Sequence, residues 1–331
     1  MISQNTENPS CDIVVLTPVY NDWASLQMLL PRLDAVLAAQ KMRVEVLAVN
    51  DASTILLDET AFASARFSAI ERVSILELRR NSGHQRAISL GLAYLEAETS
   101  CQTVVVMDAD GEDDPADVPR MIEALNREGR TKMVFAHRQK RSEGLMFRLF
   151  YLLYRKLFAV LIGRNVQFGN FSAIPQPILR RLVSVSEIWN HYAIGTLKAK
   201  IPYTEIPTDR AKRLTGRTQM SFVSLIIHGL SAIAIYGDVI GVRALIITFM
   251  MMLPVMLAAV AAIVIRLTTT LAIPGWTTYV VALALVLLIQ FITLSLFFVF
   301  IILNGKNNAN FLPVRDYPFF ITGSRVVYPT A

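Results

Sequence analysis

The sequence has few of the residues that build disulfides and soft-metal sites. Its 331 residues include two cysteines, Cys11 and Cys101, and four histidines. Each cysteine precedes an apolar stretch, so we expect free thiols that form neither a disulfide nor a metal site. Glycine-rich phosphate motifs are missing too, because no G-x-G-x-x-G or G-x-x-x-x-G-K-[ST] follows any predicted strand. The dinucleotide-binding and P-loop classes therefore lose their main support.

Charge is almost absent between residues 240 and 304. Residues 244–265 and 278–303 contain no Asp, Glu, Lys or Arg. At about 1.5 Å per residue, each run is long enough to cross a hydrocarbon layer about 30 Å thick. We expect two transmembrane helices. Lys and Arg are frequent before the first run and after the second, while the connecting loop holds only Arg266. This predicts an integral membrane protein with both termini in the cytoplasm and the connecting loop on the outer side.

The rest of the chain alternates short apolar strands with helical patterns. Strands are predicted at 12–20, 44–51, 72–78, 103–108 and 132–137, and helices at about 23–40, 83–98 and 115–128. This order predicts an α/β fold with a parallel sheet covered on both faces. Ligands of such sheets bind at the carboxyl ends of the strands. Three predicted strands end there in polar or acidic residues, so we expect a polar rim.

The most acidic part of that rim is the segment VVVMDADGEDDP, residues 104–115. Asp108 and Asp110 lie two apart where a strand ends, so both carboxylates can face one ligand. Carboxylates suit Mg²⁺ or Mn²⁺, and a bound diphosphate would supply further oxygen ligands. Asp113 and Asp114 fit the alternative role of capping the helix that begins near residue 115. Glu112 lies between these two groups.

Four motifs resemble one known family when they are taken together. TPVYND, VNDAST, RRNSGHQRAISLGL and MDADGEDDP occur in the order and spacing of the family 2 inverting glycosyltransferases with a GT-A, Rossmann-like fold. The resemblance covers roughly residues 12–215. Within that family the chain is most similar to polyprenyl-phosphate sugar synthases, such as dolichyl-phosphate mannose synthase and the undecaprenyl-phosphate glucosyltransferases.

The resemblance implies roles for individual residues of this chain. Asp108 and Asp110 become the metal-binding pair, with Asp110 and Glu112 close to the line of attack. The implied contacts to the donor nucleotide are Pro18, Tyr20, Asp51, Arg86, Asp108, Ala109, Arg210, Arg213 and Arg217. A solvated position is an equal alternative for Arg86. Arg138 and Arg148 are expected to hold the acceptor phosphate. Asn170 and Ser172 stand where relatives usually carry Asp and Arg on the acceptor side.

Basic residues are concentrated in two places. Nine Lys or Arg lie between residues 130 and 164, and six between residues 198 and 217. Residues 144–163 are otherwise apolar, which predicts a helix in the membrane interface rather than a core helix. The second cluster could close over a diphosphate or bind anionic lipid. The aromatics near these clusters lie on apolar helices, so nucleic acid is not an expected partner.

The predicted domains and function follow from these observations. We expect a catalytic domain at 1–208, a basic loop and juxtamembrane helix at 209–240, two membrane helices within 241–304, and a cytoplasmic tail at 305–331. The expected reaction moves a hexose from a UDP- or GDP-sugar to a polyprenyl phosphate with inversion, using Mg²⁺ or Mn²⁺. A homotetramer is possible. The alternatives are a processive polysaccharide synthase, whose Q-x-x-R-W motif is missing, and an inactive nucleotide-sugar-binding scaffold.

Overall fold

A computed structural model describes residues 12–138, 168–209, 211–215, 230–231, 234–270, 273–307 and 311–329. These residues divide into two compact units. The first contains the described residues up to 235 and those from 311 onward. The second contains the described residues from 236 to 307. A single chain therefore leaves the first unit, forms the second, and returns to the first.

The first unit is built on one sheet of eight strands in the order β7-β5-β6-β4-β1-β2-β3-β8. The strands are β1 (Ile13–Val19), β2 (Val44–Asn50), β3 (Ile70–Leu78), β4 (Thr103–Val106), β5 (Met133–Arg138), β6 (Phe168–Pro175), β7 (Tyr203–Thr208) and β8 (Ile321–Tyr328). The pairs β1–β2, β1–β4, β2–β3 and β5–β7 are parallel. The strands β6 and β8 pair antiparallel with their neighbours. The sheet is therefore mixed.

Helices cover both faces of this sheet. They are α1 (Trp23–Ala39), α2 (Thr60–Ala63), α3 (His84–Glu98), α4 (Asp117–Arg127), α5 (Gln176–Leu182) and α6 (Tyr192–Lys198). Alternate residues of β1 point to opposite faces, as a strand requires. Ile13 and Val15 pack in the core cluster with α1 and α4. Val14 and Leu16 pack in the other cluster with α3, α5 and α6.

The second unit is a pair of long apolar helices, α7 (Gly237–Thr268) and α8 (Trp276–Asn307). Both are long and apolar enough to cross a membrane. They bury little of their apolar surface, since Phe249 is 70% and Leu267 78% exposed. The core helices of a soluble protein would bury such side chains. The two helices pack closely, because a Cβ on Gly241 would lie 2.7 Å from Cγ1 of Ile302.

The predicted strands and helices are found with shifted ends, but the sheet differs from the fully parallel expectation. The strand β6 lies between β4 and β5 and runs against both. Residues 305–331, expected as a tail, contribute the short helix α9 (Pro313–Asp316) and the edge strand β8. Thus β8 covers the edge of β3 that would otherwise present unpaired backbone groups. The predicted interfacial helix at 144–163 lies outside the described residues.

Candidate active site

The acidic residues meet where three parallel strands end. In the register, Leu16 of β1 pairs with Val106 of β4, and Val19 pairs with Asn50 of β2. Asp22, Asp51 and Asp108 therefore follow neighbouring strands at the same edge of the sheet. The polar rim that the sequence predicted is formed by these residues and the segment after Asp108. This is the edge at which α/β sheets bind ligands.

The loop after β4 is held by its own carboxylates. Asp110 accepts the backbone N–H of Glu112 at 3.0 Å through Oδ1, and buried Asp113 accepts the backbone N–H of Asp108 at 3.1 Å. Asp114 accepts the amide of Ala116, which is the N-cap of α4 and has no capping side chain. Asp113 therefore supports the Asp108 backbone, and its expected role in capping α4 stays a prediction. Burial and the nearby charge of Asp108 raise the pKa of Asp110.

A basic segment, residues 211–215, packs directly on this loop. The N–H of Leu214 donates to the Asp110 carbonyl at 2.9 Å, and the N–H of Ala211 donates to the Glu112 carbonyl at 3.0 Å. Gly111 has φ +78°, and a Cβ there would lie 2.3 Å from Cγ of Leu214. A glycine is needed at this position for two reasons, the left-handed backbone and the close approach of Leu214.

Arg213 of this segment places its guanidinium among the carboxylates of the rim. Its Nη1 lies 3.1 Å from Oδ2 of Asp110, and its Nη2 lies 2.9 Å from Oδ2 of Asp22. Its Nε donates to the carbonyl of Thr215 at 3.0 Å. All three charged side chains are less than a quarter exposed. The structure therefore brings together two of the predicted residues, Asp110 and Arg213. It adds Asp22, which the sequence placed on the rim without a role.

Asp51 holds the loop that leads into α3. Its side chain is 3% exposed, and it accepts the backbone N–H groups of Ser82 at 2.6 Å and Gly83 at 2.8 Å. Burial raises the pKa of Asp51, and these two hydrogen bonds offset part of the rise. Gly83 has φ +93°, which allows the sharp entry into the helix. The expected contact of Asp51 with a nucleotide stays a prediction.

His84, the first residue of α3, links the acidic pair to β6. Its Nε2 lies 3.2 Å from Oδ1 of Asp108 and 3.0 Å from Nδ2 of Asn170. Desolvation is the largest single effect and lowers the pKa of His84, but the carboxylates of Asp108, Asp110 and Asp113 together outweigh it, so the pKa is raised. Asn170 also accepts from Nε2 of Gln85 at 3.2 Å. No sequence pattern predicts that His84 and Asn170 meet, because they are 86 positions apart in the chain.

The remaining predicted residues are distributed around the rim. Pro18 and Ala109 are buried, and Tyr20 is 40% exposed. The Arg86 guanidinium lies 4.9 Å from the centre of the Trp189 ring, a cation–π arrangement. Arg138 ends β5, and its side chain is outside what the structure describes. Arg148, Arg210 and Arg217 also lie outside the described residues, so their roles stay predictions.

The donor set of the rim fits a divalent cation that is shared with a ligand. Within the described part of the chain, no group of three or more His, Cys, Asp or Glu side chains is arranged to hold a metal alone. Asp108 and Asp110 offer two carboxylates, and Mg²⁺ is usually held by one or two carboxylates with substrate phosphates. Asp110 already pairs with the Arg213 guanidinium, and the His84 ring lies 3.2 Å from Asp108. The two carboxylates are thus suited to binding positive charge.

A family model matches the part of the chain that contains these acidic residues. Residues 14–188, more than half of the chain, match the model "Glycosyl transferase family 2". The chain belongs to glycosyl transferase family 2. The membership and the mixed α/β sheet confirm the GT-A fold and the family that the sequence predicted.

Individual relatives within family 2 are moderately similar. The undecaprenyl-phosphate 4-deoxy-4-formamido-L-arabinose transferase of Erwinia tasmaniensis is 26% identical over 236 residues, covering 67% of this chain and 66% of that protein. The dodecaprenyl-phosphate galacturonate synthase of Rhizobium johnstonii is 28% identical over 149 residues, covering 44% and 42%. The matched segment thus spans about two thirds of the first relative.

A solved structure is also similar. Glucosyl-3-phosphoglycerate synthase from Mycobacterium tuberculosis, in complex with Mn²⁺, UDP and glucosyl-3-phosphoglycerate, has a TM-score of 0.48 and 18% identity. The match covers 69% of this chain and 80% of that one.

Proposed function

We propose that this family 2 glycosyltransferase moves a hexose from a nucleotide diphosphate sugar to a polyprenyl phosphate, with inversion and with Mg²⁺ or Mn²⁺ bound. The carrying observation is the carboxylate pair at the strand ends, with the Arg213 guanidinium 3.1 Å from Asp110. Two similar proteins are named for sugar transfer to undecaprenyl and dodecaprenyl phosphate. The apolar helices α7 and α8 suit a protein whose acceptor is a membrane lipid.

The chemistry explains why the site needs charges of both signs. The acceptor is a phosphate and the leaving group is a nucleoside diphosphate, so two anions must approach each other. Asp108 and Asp110 would hold the divalent cation, which stabilises the negative charge that develops on the leaving group. Arg213 would donate to the diphosphate, as preorganised donors do in other transfer reactions. Arg210 and Arg217 are expected to assist it.

The acceptor phosphate would bind to arginines on the other side of the sheet edge. Arg138 at the end of β5 and Arg148 are the candidates. A phosphate oxygen is already ionised near neutral pH, so the attack does not require a strong general base. Glu112 and Asp110 are expected to lie close to the line of attack. Attack on the face opposite to the leaving diphosphate inverts the anomeric carbon.

Charge supports the proposed membrane orientation. Basic residues precede the first apolar run and follow the second, while the loop between the runs holds only Arg266. If α7 and α8 cross the membrane, this distribution predicts that both flanks face the cytoplasm of a bacterial-type cell. A homotetramer stays a prediction.

The test is a transfer assay with the purified full-length protein. The protein is incubated with a short-chain polyprenyl phosphate, Mn²⁺ and each of a panel of UDP- and GDP-hexoses. The mass of the lipid product is measured by mass spectrometry. We expect one added hexose. A polymer would favour a processive synthase, and no transfer from any donor would favour an inactive scaffold.

Variants of the acidic loop test the residue assignment. Asp108→Ala and Asp110→Ala are expected to abolish transfer because each removes a carboxylate of the cation site. Asp114→Asn is the matched control, since Asp114 lies on the same loop but bonds the start of α4. Normal transfer by either of the first two variants would contradict the metal assignment.

A further inference from the structure

Asp22 has no role in the proposed reaction, yet it holds a residue that does. It follows β1 directly, and its Oδ2 accepts from Nη2 of Arg213 at 2.9 Å. The two residues are 191 positions apart, so this contact fixes the end of one strand loop to the basic segment 211–215. Ser25 on α1 also makes a short hydroxyl contact with Thr215. The segment is therefore tied to the end of β1 as well as to the acidic loop.

Both carboxylate oxygens of Asp110 already have partners. Oδ1 accepts from the N–H of Glu112 within its own loop, and Oδ2 faces the Arg213 guanidinium. A divalent cation that bound Asp110 at Oδ2 would place its double charge beside the single charge of Arg213. Two positive charges that share one carboxylate oxygen repel each other strongly in a partly buried site. The guanidinium and the cation therefore compete for Oδ2.

The Arg213 guanidinium keeps other hydrogen-bond partners when the cation displaces it from Asp110. It carries five N–H donors in a planar fork. Three of them are used by Thr215, Asp110 and Asp22. Without Asp110, the contacts to Asp22 and to the Thr215 carbonyl still hold the fork in the rim. The N–H groups that are then left over are available to an anion.

We propose that Asp22 is a positioning residue that retains Arg213 at the rim when a divalent cation takes Asp110, so that the guanidinium binds the donor diphosphate. This inference rests on the proposed function, because it assumes the cation at Asp110 and a nucleoside diphosphate beside it. Asp22 itself touches neither the cation nor the diphosphate in this account. It acts through Arg213.

If Asp22 holds Arg213, replacing Asp22 should change the UDP affinity in the direction opposite to the one that simple electrostatics predicts. UDP is an anion, and removing a nearby carboxylate should strengthen its binding if Asp22 acted only through its charge. If Asp22 holds Arg213, the Asp22→Asn variant binds UDP less tightly. At saturating Mn²⁺ we expect UDP affinity to fall about fivefold, because a charge-assisted hydrogen bond orients the guanidinium. Asp22→Glu keeps the charge and should recover most of the affinity.

A double-mutant cycle isolates the coupling between the two residues. Arg213→Gln should weaken UDP binding by itself. Adding Asp22→Asn to that variant should cause no further loss, since there is no guanidinium left to hold. Glu123→Gln is the matched control, because Glu123 also pairs with an arginine, Arg127, but on the exposed face of α4. It should bind UDP as the unaltered protein does.

UDP binding is measured by calorimetry on the full-length protein in detergent, without acceptor, so the result does not depend on transfer. Equal or tighter binding by Asp22→Asn, or a further loss in the double variant, would overturn the proposal. A separate titration with Mn²⁺ alone tests the proposed function. If Asp110→Asn binds Mn²⁺ as tightly as the unaltered protein, the metal assignment fails, and the inference fails with it. If Mn²⁺ binding requires Asp110 but Asp22→Asn has no effect on UDP, the inference alone is wrong.

Discussion

Replacing Gly111 by alanine tests whether the basic segment 211–215 is docked on the acidic loop. Gly111 has φ +78°, a left-handed conformation that costs a residue with a Cβ about 1–2 kcal/mol. The new Cβ would also lie 2.3 Å from Cγ and 2.6 Å from Cδ1 of Leu214. Overpacking of this kind typically costs about 1–3 kcal/mol. We therefore expect Gly111→Ala to lower the free energy of unfolding by about 2–5 kcal/mol.

A second glycine separates the two contributions. Gly129 has φ +60°, and a Cβ there would meet nothing within 4 Å. Gly129→Ala should therefore show only the backbone contribution, about 1–2 kcal/mol. The difference between the two variants measures the clash with Leu214. Displacement of the segment could relieve that clash, so the difference also sets a lower limit on how strongly the segment is held.

The assay is thermal unfolding of the purified protein in detergent, followed by tryptophan fluorescence. For a domain of this size each kcal/mol corresponds to about 2–4 °C in Tm. In a Leu214→Ala background, Gly111→Ala should cost no more than Gly129→Ala, because the atoms it would meet are gone. If Gly111→Ala and Gly129→Ala lower the Tm equally in the otherwise unaltered protein, Leu214 does not lie against Gly111 and the docking is wrong.

Three further changes test other parts of the structure. Asp34→Ala leaves the buried amides of Ala69 and Ile70 and the part-buried amide of Ser68 without their acceptor, at about 1–3 kcal/mol for each buried group, and Asp34→Asn should lose less in the same unfolding assay. Gly91→Ala would place a Cβ 2.5 Å from Leu16 and should cost about 1–3 kcal/mol, which Leu16→Ala should partly relieve if the helix packs on the sheet as described. Burial raises the pKa of Asp110, so its carboxylate is protonated at a higher pH than usual, and Mn²⁺ binding at subsaturating Mn²⁺, followed by electron paramagnetic resonance, should weaken on acidification at a higher pH than an ordinary aspartate would allow; an onset at the pH of an ordinary aspartate would contradict the shift.

The hydrophobic pattern of the sequence predicted most strands and helices of the catalytic unit. The apolar runs of β1, β2 and β4 and the helices between them were found because burial on both faces leaves a continuous apolar signature. The same patterns placed Asp51, Asp108 and Asp110 at strand ends. Because parallel strands share an edge, the meeting of these residues could also be predicted.

Long-range pairing could not be predicted in the same way. The strand β6 lies antiparallel between β4 and β5, and its sequence does not indicate which strands it pairs with. The strand β8 pairs with β3 across more than two hundred residues, although its segment follows two apolar helices. A strand's composition reports how well it fits a pleated surface but not which neighbour it will have.

The charged contacts of the site show the same limit. The basic run that includes Arg213 was recognised, and a diphosphate was the expected partner. The structure pairs Arg213 with Asp110 and Asp22, which a charge pattern alone does not specify. Arg86 was predicted either to face the donor or to be solvated; its contact with the Trp189 ring was not foreseen, and its donor contact stays a prediction. Side-chain direction depends on tertiary neighbours, and the sequence motif does not contain them.

The dependence of sugar transfer on a divalent cation tests the account most directly. Purified protein is supplied with polyprenyl phosphate and its best nucleotide sugar, and the lipid-linked hexose is quantified with Mn²⁺ and again with excess chelator. We predict that the product forms with Mn²⁺, disappears with the chelator, and returns when Mg²⁺ or Mn²⁺ is restored. Undiminished transfer in the chelator would contradict the assignment of Asp108 and Asp110 as the cation site.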